Sequence, residues 1–101
     1  MRHGTRSRDP ILHLAARAND LPYTRVGYAV NRKVGGAVVR NRVRRRLREI
    51  IRQLPLRSGY DVVAVPQPLS ASASFEDLSC ATVRTAGKLK LIPLEDGLAR
   101  C

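Results

Sequence analysis

Polar and apolar positions alternate in two different ways along this chain, and the change from one to the other separates strands from helices. Val26, Tyr28 and Val30 alternate with Arg25, Gly27, Ala29 and Asn31, the period of two expected of a strand with unlike faces. The run Ile11-Leu12-His13-Leu14-Ala15-Ala16 follows Pro10 and stops near the turn cluster Asn19-Asp20-Leu21-Pro22, so it reads as a shorter strand. The two runs are expected to pair as an antiparallel hairpin. Residues 1–9 are polar and basic and show no helical period.

After Gly35-Gly36 the period changes. Val39, Val43, Leu47, Ile50, Ile51 and Leu54 follow one another at steps of four, four, three, one and three. Those steps align them on one face of a long helix that begins near Ala37 and is ended by Pro55. Tyr60-Asp61-Val62-Val63-Ala64-Val65, stopped by Pro66 and Pro68, reads as a buried strand. Ser74 is placed as a helix N-cap, with Glu76 and Asp77 in the first turn. Either Phe75, Leu78 and Thr82 or Leu78, Ala81 and Thr85 could face the sheet from that helix, and Gly87 is expected to end it. Lys88-Leu89-Lys90-Leu91 alternates like a strand, while Pro93, Asp96 and Gly97 read as a loose tail. The order strand, strand, helix, strand, helix predicts an α+β fold, a two-layer α/β sandwich with helices laid on a small sheet.

With 101 residues and 44% hydrophobic content, the chain suits one globular domain with a modest core. No run approaches the roughly 18 apolar residues of a membrane span. Met1-Arg2-His3-Gly4-Thr5-Arg6 lacks the apolar stretch of a signal peptide. The expectation is a cytoplasmic protein with no membrane partner. Cys80 and Cys101 stand far apart with no CxxC pair, so neither a zinc site nor a disulfide framework is expected, and both are read as reduced thiols.

Charge narrows the partner. Nineteen Lys and Arg face eight Asp and Glu, a formal net charge of +11, and a domain that basic implies a polyanion. Arginine outnumbers lysine sixteen to three. Its flat fork grips phosphate bidentately and stacks on bases, which favours nucleic acid over a membrane surface. Residues 32–52 hold nine of the nineteen cations and one acid, Glu49. On a helix, the six arginines from Arg40 to Arg48 lie within about 12 Å, close to the roughly 8–10 Å Debye length at ordinary ionic strength. Glu49 relieves only part of their repulsion. Such a helix is suited to lie along a phosphate backbone, releasing counterions. Asn41, between Arg40 and Arg42, can donate and accept, and so can bond a base edge, a 2′-hydroxyl or a metal-bound water. Gly35-Gly36 has two readings: a tight turn into the helix, or a close approach of phosphate to backbone N–H groups.

The run Lys33-Val34-Gly35-Gly36-Ala37-Val38-Val39-Arg40-Asn41-Arg42-Val43-Arg44-Arg45-Arg46-Leu47-Arg48-Glu49 closely resembles the RNR signature of the bacterial ribonuclease P protein component. Residues 25–32, 60–65 and 74–78 resemble that family's flanking strands and final helix, and the likeness extends over about residues 3–86. The resemblance implies a single domain over residues 1–87, a poorly matched tail over 88–101, and a mixed sheet with a left-handed βαβ crossover, against the usual hand. It implies a protein subunit that binds the catalytic RNA of ribonuclease P and assists endonucleolytic removal of the 5′ leader from precursor tRNA. Carried over by position, Lys33, Arg40, Asn41, Arg42, Arg45 and Arg46 would contact RNA, with Arg44 and Arg48 of the same helix beside them. A monomer in a 1:1 complex with the RNA is expected, with Mg²⁺ held by RNA and substrate. His13 and Tyr28 are candidate leader contacts, since the family's leader cleft lies against the sheet. Two departures stand out. His3-Gly4-Thr5 resembles the point where the family's first helix has ended, so that helix has no counterpart in the sequence. Gly36 stands where many relatives carry a polar or basic residue, so one contact is expected to be lost.

The residues argue against catalysis by the chain alone. A metal-dependent nuclease needs clustered carboxylates, whereas Glu76-Asp77 and Glu95-Asp96 are the only adjacent acids and the first pair suits a helix start. Two histidines form no acid–base pattern, and no GxxxxGK[ST] loop is present. Neither a catalytic residue nor a metal ligand is assigned. Two other readings share the charge: a ribosomal or general RNA-binding protein, and a DNA-binding regulator using residues 37–54. The latter wants a preceding helix and a short turn, and a strand and two glycines stand there instead.

Overall fold

The computed structural model describes residues 4–93. Four strands, β1 (Thr5–Arg8), β2 (Leu12–Ala18), β3 (Arg25–Tyr28) and β4 (Tyr60–Pro66), form one sheet in the order β1-β2-β4-β3. Two helices, α1 (Ala37–Arg52) and α2 (Phe75–Lys88), pack on one side of it. The architecture is the expected α+β two-layer sandwich with a mixed sheet. β1 and β2 are antiparallel, as are β2 and β4, while β3 runs parallel to β4 with α1 in the connection between them.

Four readings of the sequence are corrected. The runs at 11–16 and 25–31 do not form a hairpin, because β4 inserts between them and bonds to both. Val62-Val63-Ala64-Val65 is the near-continuous apolar run of a strand with neighbours on both sides. Residues 5–8, part of the run read as polar and basic with no helical period and not expected as a strand, form β1. An Asx turn makes its hairpin with β2: the Asp9 carboxylate accepts from the Ile11 N–H at 3.1 Å, and the Asp9 N–H donates to the Leu12 carbonyl. Lys88-Leu89-Lys90-Leu91 is not a strand either. Lys90 adopts a left-handed conformation, its N–H donates to the Gly87 carbonyl, and that of Leu91 donates to the Ala86 carbonyl. This is the Schellman closure of α2, three residues beyond the glycine expected to end the helix. Cys80, half-buried on α2, is disulfide-bonded rather than a reduced thiol; Cys101, like Glu95, Asp96 and Gly97, lies outside the described residues.

Strand register assigns the two faces of the sheet. Leu12, Leu14 and Ala16 pair with Pro66, Ala64 and Val62, and all six are buried beneath the helices. Val43, Leu47, Ile50 and Ile51 of α1 and Leu78, Ala81, Thr82, Thr85 and Ala86 of α2 complete this core. The predicted stripe of α1 is therefore its buried face, with Val39 and Leu54 at its margins. Burial of each large aliphatic side chain contributes on the order of 1.5–3 kcal/mol. On α2, the Ser74 hydroxyl accepts from the Asp77 N–H, as the N-cap reading required. The Arg84 guanidinium donates to Asp9 and ties that helix to the β1–β2 hairpin.

Candidate nucleic-acid interface

Two surfaces collect the cations, and each follows from the geometry of its element. The first is the outer side of α1. Gly36 caps this helix without a side-chain bond, and Gly35 precedes it at φ 154°. A Cβ at Gly35 would stand 2.9 Å from Val39, so that glycine lets the connection pass close to the helix. Nothing lies within 4 Å of a Cβ at Gly36, so no close packing demands a glycine there.

The arginines of this helix differ in what they do for the fold. Arg42 is half-buried and donates to the Ala71 carbonyl at 2.8 Å, fastening α1 to the 3₁₀ turn Pro68–Ala71. Arg40 donates to the Gly35 carbonyl at 3.1 Å and braces the helix start. Arg44 donates to the Asn41 side-chain oxygen at 2.9 Å, which leaves the Asn41 amide hydrogens directed elsewhere. Arg52 pairs with Glu49. Among the described residues Lys33, Arg45, Arg46 and Arg48 have no carboxylate partner. Arg48 instead lies over the Tyr28 ring, 5.7 Å from its centroid, within cation–π range. Two of the described acids are engaged away from the helix. Asp9 holds Arg84, and Asp61 holds Arg25 through two 2.8 Å bonds while accepting from Asn19. Those bonds hold the Asp61 carboxyl down at about 2. Burial pushes the Asp9 carboxyl up, but its bonds from Arg84 and the Ile11 N–H more than offset this and leave it lowered.

The second surface is the face of the sheet away from the helices. The register places Arg6, Arg8, His13, Ala15, Arg17, Val63 and Val65 there. A cavity of about 280 Å³ is lined by Arg6, Arg8, His13, Leu14, Ala15 and Val65. A neighbouring one of about 420 Å³ adds Arg17, Asp61 and Val63 and shares Arg6 and Ala15 with the first. Together they form a trough with an apolar middle and guanidinium groups at its margins.

The two candidate leader contacts are not brought together. His13 lies in the trough, whereas Tyr28 pairs in register with buried Ala64 and faces α1 on the opposite side of the sheet. Burial raises the Tyr28 hydroxyl above its usual range, with Arg48 opposing the shift. Reading by sequence missed Arg6, Arg8 and Arg17. The spacing Arg6-x-Arg8 and His13-x-Ala15-x-Arg17 carried the signal, a period of two, once both runs are known to be strands.

Among the described residues, no three His, Cys, Asp or Glu side chains gather as a metal site, and no helix is long and apolar enough to cross a membrane.

A sequence model of the family described as Ribonuclease P matches residues 1–90. The chain is 33% identical over 87 residues to the ribonuclease P protein component of Dehalococcoides mccartyi strain CBDB1, covering 86% of this chain and 72% of that one. It is 41% identical over 83 residues to the corresponding protein of Acidothermus cellulolyticus, covering 78% and 68%. The fold is similar to the solved structure of the ribonuclease P protein from Thermotoga maritima, with a TM-score of 0.75 at 27% identity over 89% of this chain and 84% of that one.

Proposed function

Since the chain belongs to the ribonuclease P protein family, a component of an RNA-based endonuclease, we propose that it binds the catalytic RNA through the outer side of α1 and assists removal of the 5′ leader from precursor tRNA. The observation that carries this reading is the contrast within one helix. Its apolar stripe is buried, while Lys33 just ahead of it and Arg45, Arg46 and Arg48 along it are left without a carboxylate partner among the described residues. These four, with Arg40, Asn41 and Arg44, form the RNA-contacting set. Arg42 contributes chiefly by holding the helix in place. Each phosphate contact releases counterions and strengthens binding at low salt.

The precursor's leader is single-stranded, and a single strand binds best where bases meet apolar or aromatic surface and phosphates meet cations. The trough offers Ala15, Val63 and Val65 in its middle and Arg6, Arg8 and Arg17 around them, with His13 beside Arg8. We assign the leader to this face, with His13 as a contact and Tyr28 excluded by its position. Among the described residues no three acids, histidines or cysteines gather as a metal site, and Asp9, Glu49 and Asp61 are each held by an arginine. The Mg²⁺ is therefore assigned to the RNA and its substrate. The protein's part is to add positive charge where two RNAs meet, as a monomer in a 1:1 complex in the cytoplasm.

Reconstitution with a bacterial ribonuclease P RNA tests this. The chain should raise the rate of precursor cleavage at low Mg²⁺, and its absence should be offset by more Mg²⁺. If precursor cleavage at low Mg²⁺ is the same with and without the protein, the reading fails.

A further inference from the structure

A third cavity, of about 490 Å³, opens on the α1 side of edge strand β3, between that strand and the last turn of the helix. Of the candidate RNA contacts assigned above, Arg48 alone lines it on the α1 surface. Val26, Ile51, Leu54 and Leu56 supply apolar lining. One wall is Tyr28 with the Arg48 guanidinium over its ring. At the rim stands Tyr23, 54% exposed, a large amount of aromatic surface left in water on a chain with only four aromatic residues.

The volume falls within the roughly 300–1,000 Å³ of small-molecule sites, and Thr24, Arg52 and Ser58 add polar groups to the lining of what is an open groove. Two phenol rings and a guanidinium plane select for a flat, aromatic ligand. The net charge of +11 and the absence of a carboxylate partner for Arg48 among the described residues select for one carried on an anion. A nucleobase on a phosphodiester chain meets both requirements. Base pairs inside a duplex do not offer their flat faces to a protein, so the base must be splayed out from a loop, bulge or end. Among the described residues β3 has a strand neighbour on one side only, so an RNA strand can reach the rim without displacing part of the sheet.

We propose that this cavity receives one unstacked base of the RNA that lies along α1, held between Tyr23 and the Tyr28–Arg48 wall. The proposal deepens the RNA-binding reading of α1 and rests on it: Arg48 belongs to both, so a phosphate track along the helix ends at a pocket for a base.

The test uses the whole chain with a bacterial ribonuclease P RNA. Affinity and its salt dependence are measured for the wild type, Tyr23→Ala, Tyr23→Phe and Arg46→Ala, and ultraviolet crosslinks are mapped by mass spectrometry to identify the base. Removing one stacking ring should weaken binding about five- to hundredfold, and Tyr23→Phe should restore it. The salt slope of Tyr23→Ala should match the wild type, since stacking releases no counterion, while Arg46→Ala should lower it. Unchanged affinity for Tyr23→Ala overturns the proposal, as does a loss shared by Tyr23→Phe or accompanied by a lower slope. With Arg46→Ala still lowering the slope, such a result leaves the wider reading standing. A wild type without salt-dependent affinity for the RNA sinks both.

Discussion

The outer side of α1 and the open face of the sheet are both arginine-rich, yet their shapes suit different forms of a polyanion. On the helix, six arginines fall within nine residues and are fanned over a convex rod by the 100° turn per residue. Several are steadied by short bonds to Gly35, Ala71 or Asn41. That arrangement follows a continuous, curved backbone such as a folded RNA presents. On the sheet, the strand period sets Arg6, Arg8 and Arg17 around a flat centre of Ala15, Val63 and Val65. That arrangement accepts bases in the middle and phosphates at the edge. What one arginine does is decided by the element that carries it.

Five measurements break or sharpen this contrast. The largest effect is expected from Leu47→Ala. Leu47 is fully buried under α1, and its truncation should cost about 2–5 kcal/mol by urea denaturation, so that both surfaces fail together. Next, Arg45→Ala with Arg46→Ala should lower the salt slope for the catalytic RNA by about 0.7–0.9 per lost contact. Arg8→Ala with Arg17→Ala should instead weaken precursor binding and leave the catalytic RNA's affinity unchanged. If both pairs weaken both RNAs alike, the division of labour is wrong. Arg42→Ala should cost roughly 1–2 kcal/mol of stability, because it removes a charged donor from the Ala71 carbonyl, with a smaller change in slope than Arg45→Ala. The smallest effect is at Asp61, whose carboxyl sits at about 2 in the folded chain, below the roughly 3.9 of an unfolded one. The stability it contributes is complete above about pH 4 and is lost as pH falls toward 2. Asp61→Asn should flatten that acid limb of the melting temperature between pH 5 and 2.

How much of this could be read from residues alone depends on where the information sits. α1 was legible because its stripe and its charge density are both local patterns. β1 was not: Thr5-Arg6-Ser7-Arg8 has no apolar residue, and its inward position is Ser7, buried with its hydroxyl unpartnered. Only pairing with β2 makes it a strand. The hairpin expected of β2 and β3 failed because neighbours along the chain need not be neighbours in a sheet. The end of α2 was hidden because Lys90 takes the left-handed turn usually given to glycine. The trough could not be seen before the register was known, since it draws Arg6, His13 and Val65 from three strands. The same register separates His13 from Tyr28, which spacing alone could not do.

The position of β4 constrains the order of assembly. Among the described residues β3 bonds to no strand but β4, so a growing chain that has emerged only as far as residue 59 has a two-stranded ribbon, an orphan segment at 25–28 and a helix with nothing broad to rest on. The last strand made is the one that zips the two halves together, and this sequence-distant pairing is the slow kind. Until it forms, the cationic rod lacks its full base, and the surface proposed to meet RNA matures only after this interior strand has been synthesised.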